Sequence, residues 1–122
     1  MNSKKIIEIA VNALNDKKAL NISAIEVGEL TVIAEYFIIA TATSNTHVRA
    51  LADIVEEKLS EAGIEPDHVE GKATGWILLE YRGVVVHIFT RDTRDYYNLD
   101  RMWDDGKKIL LDDILVSKRE EE

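Results

Sequence analysis

Apolar positions fall in two rhythms along this chain, and the switches between them mark its elements. Ile6, Ile7, Ala10, Val11, Ala13 and Leu14 form a stripe at helical spacing, so residues 3–18 are expected to be an amphipathic helix with Ser3 as its N-cap. Residues 20–27 alternate with period two, apolar at 20, 22 and 25, and read as a strand that Gly28-Glu29-Leu30 breaks. Residues 36–42 are a nearly continuous apolar run, the pattern of a strand covered on both faces. Thr43-Ser44-Asn45 then offers caps for a helix over about 46–62, whose Val48, Leu51, Ala52, Val55, Leu59 and Ala62 share one face. Gly63 suits the left-handed position just past its end.

Beyond Pro66 a short extended piece, His68-Val69-Glu70, leads to a loop from Gly71 to Gly75. A hairpin follows: Trp76 to Tyr81, a turn at Arg82-Gly83, and Val84 to Thr90. One or two short helical segments are expected over 91–105, with Leu99 and Trp103 at core spacing. Gly106 interrupts, and Lys107 to Val116 carries a last apolar stripe at Ile109, Leu110, Ile114 and Leu115, read as helix. Residues 117–122 are a charged tail. The order predicts one α/β domain over 1–116, a mixed parallel and antiparallel sheet with flanking helices. The strand at 36–42, joined to 68–70 through one helix, supplies the crossover that makes part of the sheet parallel.

Composition narrows the function classes. At 122 residues the chain fits one domain with a core of its own. It has no cysteine, which removes disulfides, thiolate metal sites and thiol catalysis together. The first residues carry two lysines, but Glu8, Asn12, Asn15 and Asp16 break the apolar stretch after them, so neither a signal peptide nor a membrane span is expected. A formal net charge of −8 argues against a broad nucleic-acid face and favours a basic protein partner, or serves solubility alone.

Chemistry is sparse. A two-metal nucleotidyl-transferring site needs paired carboxylates beside a Gly-Ser turn. Here the turn is Thr43-Ser44-Asn45, without glycine, and the only near match, Glu65-x-Asp67, flanks Pro66 on a loop. His47, His68 and His87 lack a metal spacing, so no catalytic residue, metal or cofactor is expected. His87 lies within an apolar strand and reads either as a histidine bonded within the sheet or as a polar contact on a binding face.

The hairpin is richer. Alternation places Ile77, Leu79 and Tyr81 on one face, opposite Val84, Val86 and Ile88, as a core surface. Trp76, Leu78 and Glu80 then form an outward strip, which a basic partner would complete by pairing Glu80. Adjacent Tyr96 and Tyr97 cannot both face inward from one helix, so one is expected at the surface. Tyr, Trp and Arg are the residues interfaces favour. A self-paired homodimer is an alternative use of the same strip.

The ordered set Ala34-Glu35-Tyr36-Phe37-Ile38-Ile39-Ala40-Thr41, Ser44, Glu70-Gly71, Trp76, Tyr81, Val85-Val86-His87-Ile88-Phe89, Arg94, Tyr96-Tyr97, Leu99 and Trp103 resembles the ribosomal silencing factors, the Iojap-like proteins. In that family an aspartate usually stands at Glu80 and a glutamate at Asp100; both exchanges keep the charge and change the reach by one methylene. The resemblance implies a nucleotidyltransferase-like fold without the chemistry. It implies a cytoplasmic factor that binds the large ribosomal subunit through its fourteenth protein, blocks subunit joining and lowers translation when nutrients are short. It also brings His87, with Trp76, Leu78, Glu80, Tyr96 and Tyr97, into the expected binding set. The runner-up is a nucleotide-binding or nucleotidyl-transferring enzyme.

Overall fold

In the computed structural model of the chain, which describes residues 2–32, 34–71, 75–98, 106–109, 111 and 115, period-two and helical patterns settle into nine elements. These are α1 (Ser3–Asp16), β1 (Leu20–Glu26), β2 (Tyr36–Ala42), α2 (Asn45–Glu61), β3 (His68–Glu70), β4 (Trp76–Tyr81), β5 (Val84–Thr90), α3 (Arg91–Tyr97) and β6 (Lys107–Lys108). The N-cap of α1 is Asn2, not Ser3: Asn2 Oδ1 accepts the Lys5 amide at 2.9 Å. Both are good caps, and the earlier one satisfies the amide three residues on. At the other end Lys18 turns left-handed (φ 64°), and its amide and that of Ala19 close on the Asn15 and Leu14 carbonyls. Helix α2 starts on the Ser44 hydroxyl, which accepts the His47 amide at 3.1 Å. It ends as its sequence predicts, with Gly63 at φ 85° and the Ile64 amide on the Leu59 carbonyl at 2.8 Å.

The strand order is β3-β4-β5-β2-β1-β6, antiparallel except for the β2–β5 pair. The sheet is mixed, as expected, but the parallel partner of β2 is β5 and not β3. Helix α2 carries the chain past two positions to the far edge, and β3-β4-β5 walk back as a meander. The reason lies in the side chains. β3 is three residues long with exposed His68 and Glu70, suited to an edge, whereas β5 is apolar on both faces and can lie in the middle. Arg82 (φ 50°) and Gly83 (φ 90°) both take positive φ, which makes the β4–β5 connection a type I′ turn.

Two cores result. On one face α1 and α2 pack on Ala24, Ile38, Ala40, Ile77, Leu79, Tyr81, Val84, Val86 and Ile88. On the other, Ile25, Phe37, Ile39, Val85 and Phe89 cluster with Val27 and Ala34 from the β1–β2 connection, and Trp76 and Leu78 pack against them. One expectation fails outright. Lys107 and Lys108, placed at the head of a helical stripe, pair antiparallel with Glu26 and Ile25, and the Ile109 amide reaches the Ala24 carbonyl at 3.0 Å. The open edge of β1 outweighs local periodicity there. Helix α3 closes on Asn98 in the left-handed conformation (φ 48°). The expectations for Leu99, Trp103, Leu110, Ile114 and the 117–122 tail lie outside the described residues.

Candidate functional site

Strand β4 alternates as its sequence predicts. Ile77, Leu79 and Tyr81 are buried under the helices, and Trp76, Leu78 and Glu80 stand partly exposed on the opposite face. At the Trp76 end the chain folds α3 directly back from β5, and an open groove of about 650 Å³ forms between α3 and the ends of β3 and β4. Its lining is Glu70 and Gly71 from the end of β3, Gly75, Trp76 and Leu78 from β4, and Asp92, Thr93 and Tyr96 from α3. Tyr96 is 82% exposed, an unusual state for so large a ring. The floor is apolar, and carboxylates stand on two of its walls.

Local chemistry sets these walls. Thr90 caps α3, its Oγ1 accepting the Thr93 amide at 3.4 Å and lying 2.8 Å from Thr93 Oγ1. The Thr90 amide bonds the Gly75 carbonyl at 2.9 Å. Arg94 anchors the helix from its far side, donating Nη1 to the Asn21 carbonyl and to Thr41 Oγ1, both at 2.7 Å. Asn21 can present that carbonyl because β1 bulges there, with Asn21 at φ 49° and the register against β2 shifting between Leu20 and Ser23.

The predicted binding residues whose side chains are described separate into three groups. Trp76, Leu78 and Tyr96 meet in the groove. Glu80 shares their face but lies further along β4, beside His68 and Val85 and away from the groove lining. His87 is not at the surface: it is 4% exposed, beneath Trp76, whose Nε1–H it accepts on Nδ1 at 3.2 Å. Of Tyr97 only the backbone belongs to the described residues. Gly75, Asp92 and Thr93 join the groove without having stood out in the sequence, and Glu70 and Gly71 join it from outside the expected binding set, since only the tertiary fold brings the end of β3 to α3.

The carboxylates weighed for catalysis have local work. Asp67 Oδ2 accepts the Arg82 amide at 2.7 Å, steadying the hairpin turn, and Glu65 Oε2 accepts from Ser60 Oγ at 2.7 Å. The histidines are spread across the fold. His47 joins α2 to α1, accepting the Thr43 amide on Nδ1 at 2.9 Å and donating Nε2–H to the Lys17 carbonyl at 2.8 Å. His68 lies 2.8 Å from Glu70 on the β3 edge. Among the described residues no His, Asp and Glu side chains group to hold a metal ion, and no helix is long and apolar enough to cross a membrane.

Fold and groove together define a small α/β domain whose most exposed aromatic side chain among the described residues, Tyr96, stands at an open groove at one end of a mixed sheet. Residues 1–122 match the family model described as "Ribosomal silencing factor during starvation", and the chain belongs to that family. It is 37% identical over 113 residues to the Bacillus subtilis protein named ribosomal silencing factor RsfS, covering 92% of this chain and 96% of that one. It is 34% identical over 116 residues to the protein of the same name from Halalkalibacterium halodurans, covering 94% and 99%. A crystal structure of a Chromobacterium violaceum protein superposes with a TM-score of 0.81 at 36% identity, over 90% of this chain and 92% of that one.

Proposed function

We propose that this protein binds the large ribosomal subunit through the Trp76–Leu78 groove and the strip that continues to Glu80, and that its presence there blocks small-subunit joining and represses translation. The supporting observation is the groove itself: an apolar floor of Trp76 and Leu78 walled by a Tyr96 that is 82% exposed. Large aromatic side chains in a concave site are the usual anchors of a protein interface. The net charge of −8, with Glu70 and Asp92 at the groove, favours a basic protein as partner, and the family resemblance points to the fourteenth protein of the large subunit. The action is steric and cytoplasmic, and it needs no cofactor. Mixing purified subunits with and without the protein, and following their joining by light scattering, tests this reading. Joining should slow and its extent fall as protein is added to the large subunit first; undiminished joining at saturating protein would overturn it.

A further inference from the structure

His87 is an imidazole buried in a cluster of aromatic rings. His87 sits on the same face of β5 as Val85 and Phe89, and three aromatic rings surround it. Phe37 meets it edge-on at 4.6 Å between centroids and 76° between planes. Trp76 stacks beside it at 5.8 Å and 29°, and Phe89 lies parallel at 6.0 Å and 6°. Phe89 also stacks on Trp76 at 5.2 Å and 23°. A phenylalanine or leucine would fill this place without the cost of burying polar nitrogens. The imidazole bears that cost in part: its Nε2 has no hydrogen-bond partner among the described residues.

What the histidine adds is one acceptor. In the strand register Trp76 faces Phe89, and His87 faces Leu78, so the indole reaches His87 diagonally across the pair. An indole nitrogen only donates. With Nδ1 at 3.2 Å as its acceptor, the N–H is held down into the sheet, and one orientation of the ring is set at the groove. Only a neutral imidazole protonated on Nε2 can accept in this way. Burial keeps the ring neutral, lowering its pKa to about 4.

We propose that His87 is a positioning residue: through the Nδ1 acceptor it fixes the angle at which Trp76 presents its indole in the groove. The geometric part stands on the free protein alone; its consequence for partner binding rests on the functional reading above. His87 itself touches no partner.

The test begins with the unmodified protein. A long-range nitrogen–proton spectrum of the imidazoles at neutral pH should give His87 as the neutral Nε2–H tautomer. The Trp76 indole proton, assigned by its loss in Trp76→Phe, should exchange slowly with solvent. An Nδ1–H tautomer, or an indole that exchanges as fast as an exposed one, overturns the proposal without any variant having to fold. His87→Leu should move the indole resonance and speed its exchange at least several-fold, and His87→Asn, which returns an acceptor near the Nδ1 position, should restore part of both. Binding to large subunits should weaken several-fold in His87→Leu, and His87→Leu added to Trp76→Ala should weaken it no further than Trp76→Ala alone. If Trp76→Ala abolishes binding and His87→Leu changes neither the indole nor binding, His87 does not position Trp76. If the indole responds as described while neither variant affects subunit binding, the positioning holds and the groove's functional reading falls.

Discussion

A Cβ placed on Gly75 would come within 2.8 Å of Thr93 Oγ1 and 3.1 Å of Thr90 Oγ1. Gly75, just before β4, therefore lies directly against the cap of α3, and it lines the groove together with Trp76, Thr93 and Tyr96. Gly75→Ala should push the Thr90–Thr93 pair apart, at a cost of about 1–2 kcal/mol in stability, the range of a lost cap or a small overpacking. Partner binding should weaken with it. Gly63→Ala is the contrast. Beyond its chain neighbours no atom of the described residues lies within 4 Å of the added carbon, but the φ of +85° strains any side chain, so a cost of about 1 kcal/mol is expected with binding unchanged. Denaturant midpoints and subunit pelleting on both variants check the pair.

Arg94 ties α3 to the bulge in β1. Removing it leaves the Asn21 carbonyl and the buried Thr41 hydroxyl without their 2.7 Å donor. Arg94→Ala should cost about 2 kcal/mol, the scale of hydrogen bonds from a charged donor. Arg94→Lys should recover only part of this, because one ammonium on a flexible stem does not reproduce the planar fork. Hydrogen exchange should locate the loss in α3 and the start of β1. Protection unchanged in α3 would show that Arg94 is not what anchors the helix.

The buried imidazole also makes stability depend on pH. An unfolded chain takes up a proton on His87 near pH 6.5, whereas the folded protein resists until about 4, with burial as the cause. Between those values unfolding consumes a proton, so acid favours the unfolded state. The contribution is fully present above about 6.5, declines as pH falls, and is spent near 4, roughly 3 kcal/mol over the window at 1.36 kcal/mol per pKa unit. His87→Leu should flatten this part of the stability profile. Profiles of equal slope for the two proteins between about pH 4 and pH 7 would contradict it.

Much of this was legible in the chain because the informative signals are local. The alternation in Trp76–Tyr81 is reproduced side chain by side chain in the burial of β4. Gly63 and Gly83 announce their turns because glycine takes positive φ without strain, and Arg82 goes left-handed with Gly83 in the two-residue hairpin turn. What escaped depends on distant partners. The Lys107–Lys108 strand exists because β1 offers an edge, which no window around Gly106 reveals. The pairing of β2 with β5 was decided by the relative lengths and burial of β3 and β5, not by the crossover helix. His87 read ambiguously because one polar residue in an apolar strand suits a surface or a sheet. The usable signal was the Val85-His87-Phe89 alternation, which sets it on a face with two buried side chains. The groove had only half a signature: its aromatics were visible, but Glu70, Gly71, Gly75, Asp92 and Thr93 converge only in three dimensions.

The central claim, that the Trp76 face engages the large subunit, is most directly tested by sedimenting the protein with each purified subunit, alongside Trp76→Ala and Glu80→Lys. The protein should pellet with large subunits and stay in solution with small ones. Trp76→Ala, still folded by circular dichroism, should bind at least about fivefold more weakly, as expected for a loss above 1 kcal/mol at an interface anchor. Glu80→Lys should weaken binding by charge reversal. Equal pelleting with both subunits, or full binding by folded Trp76→Ala, would contradict the account.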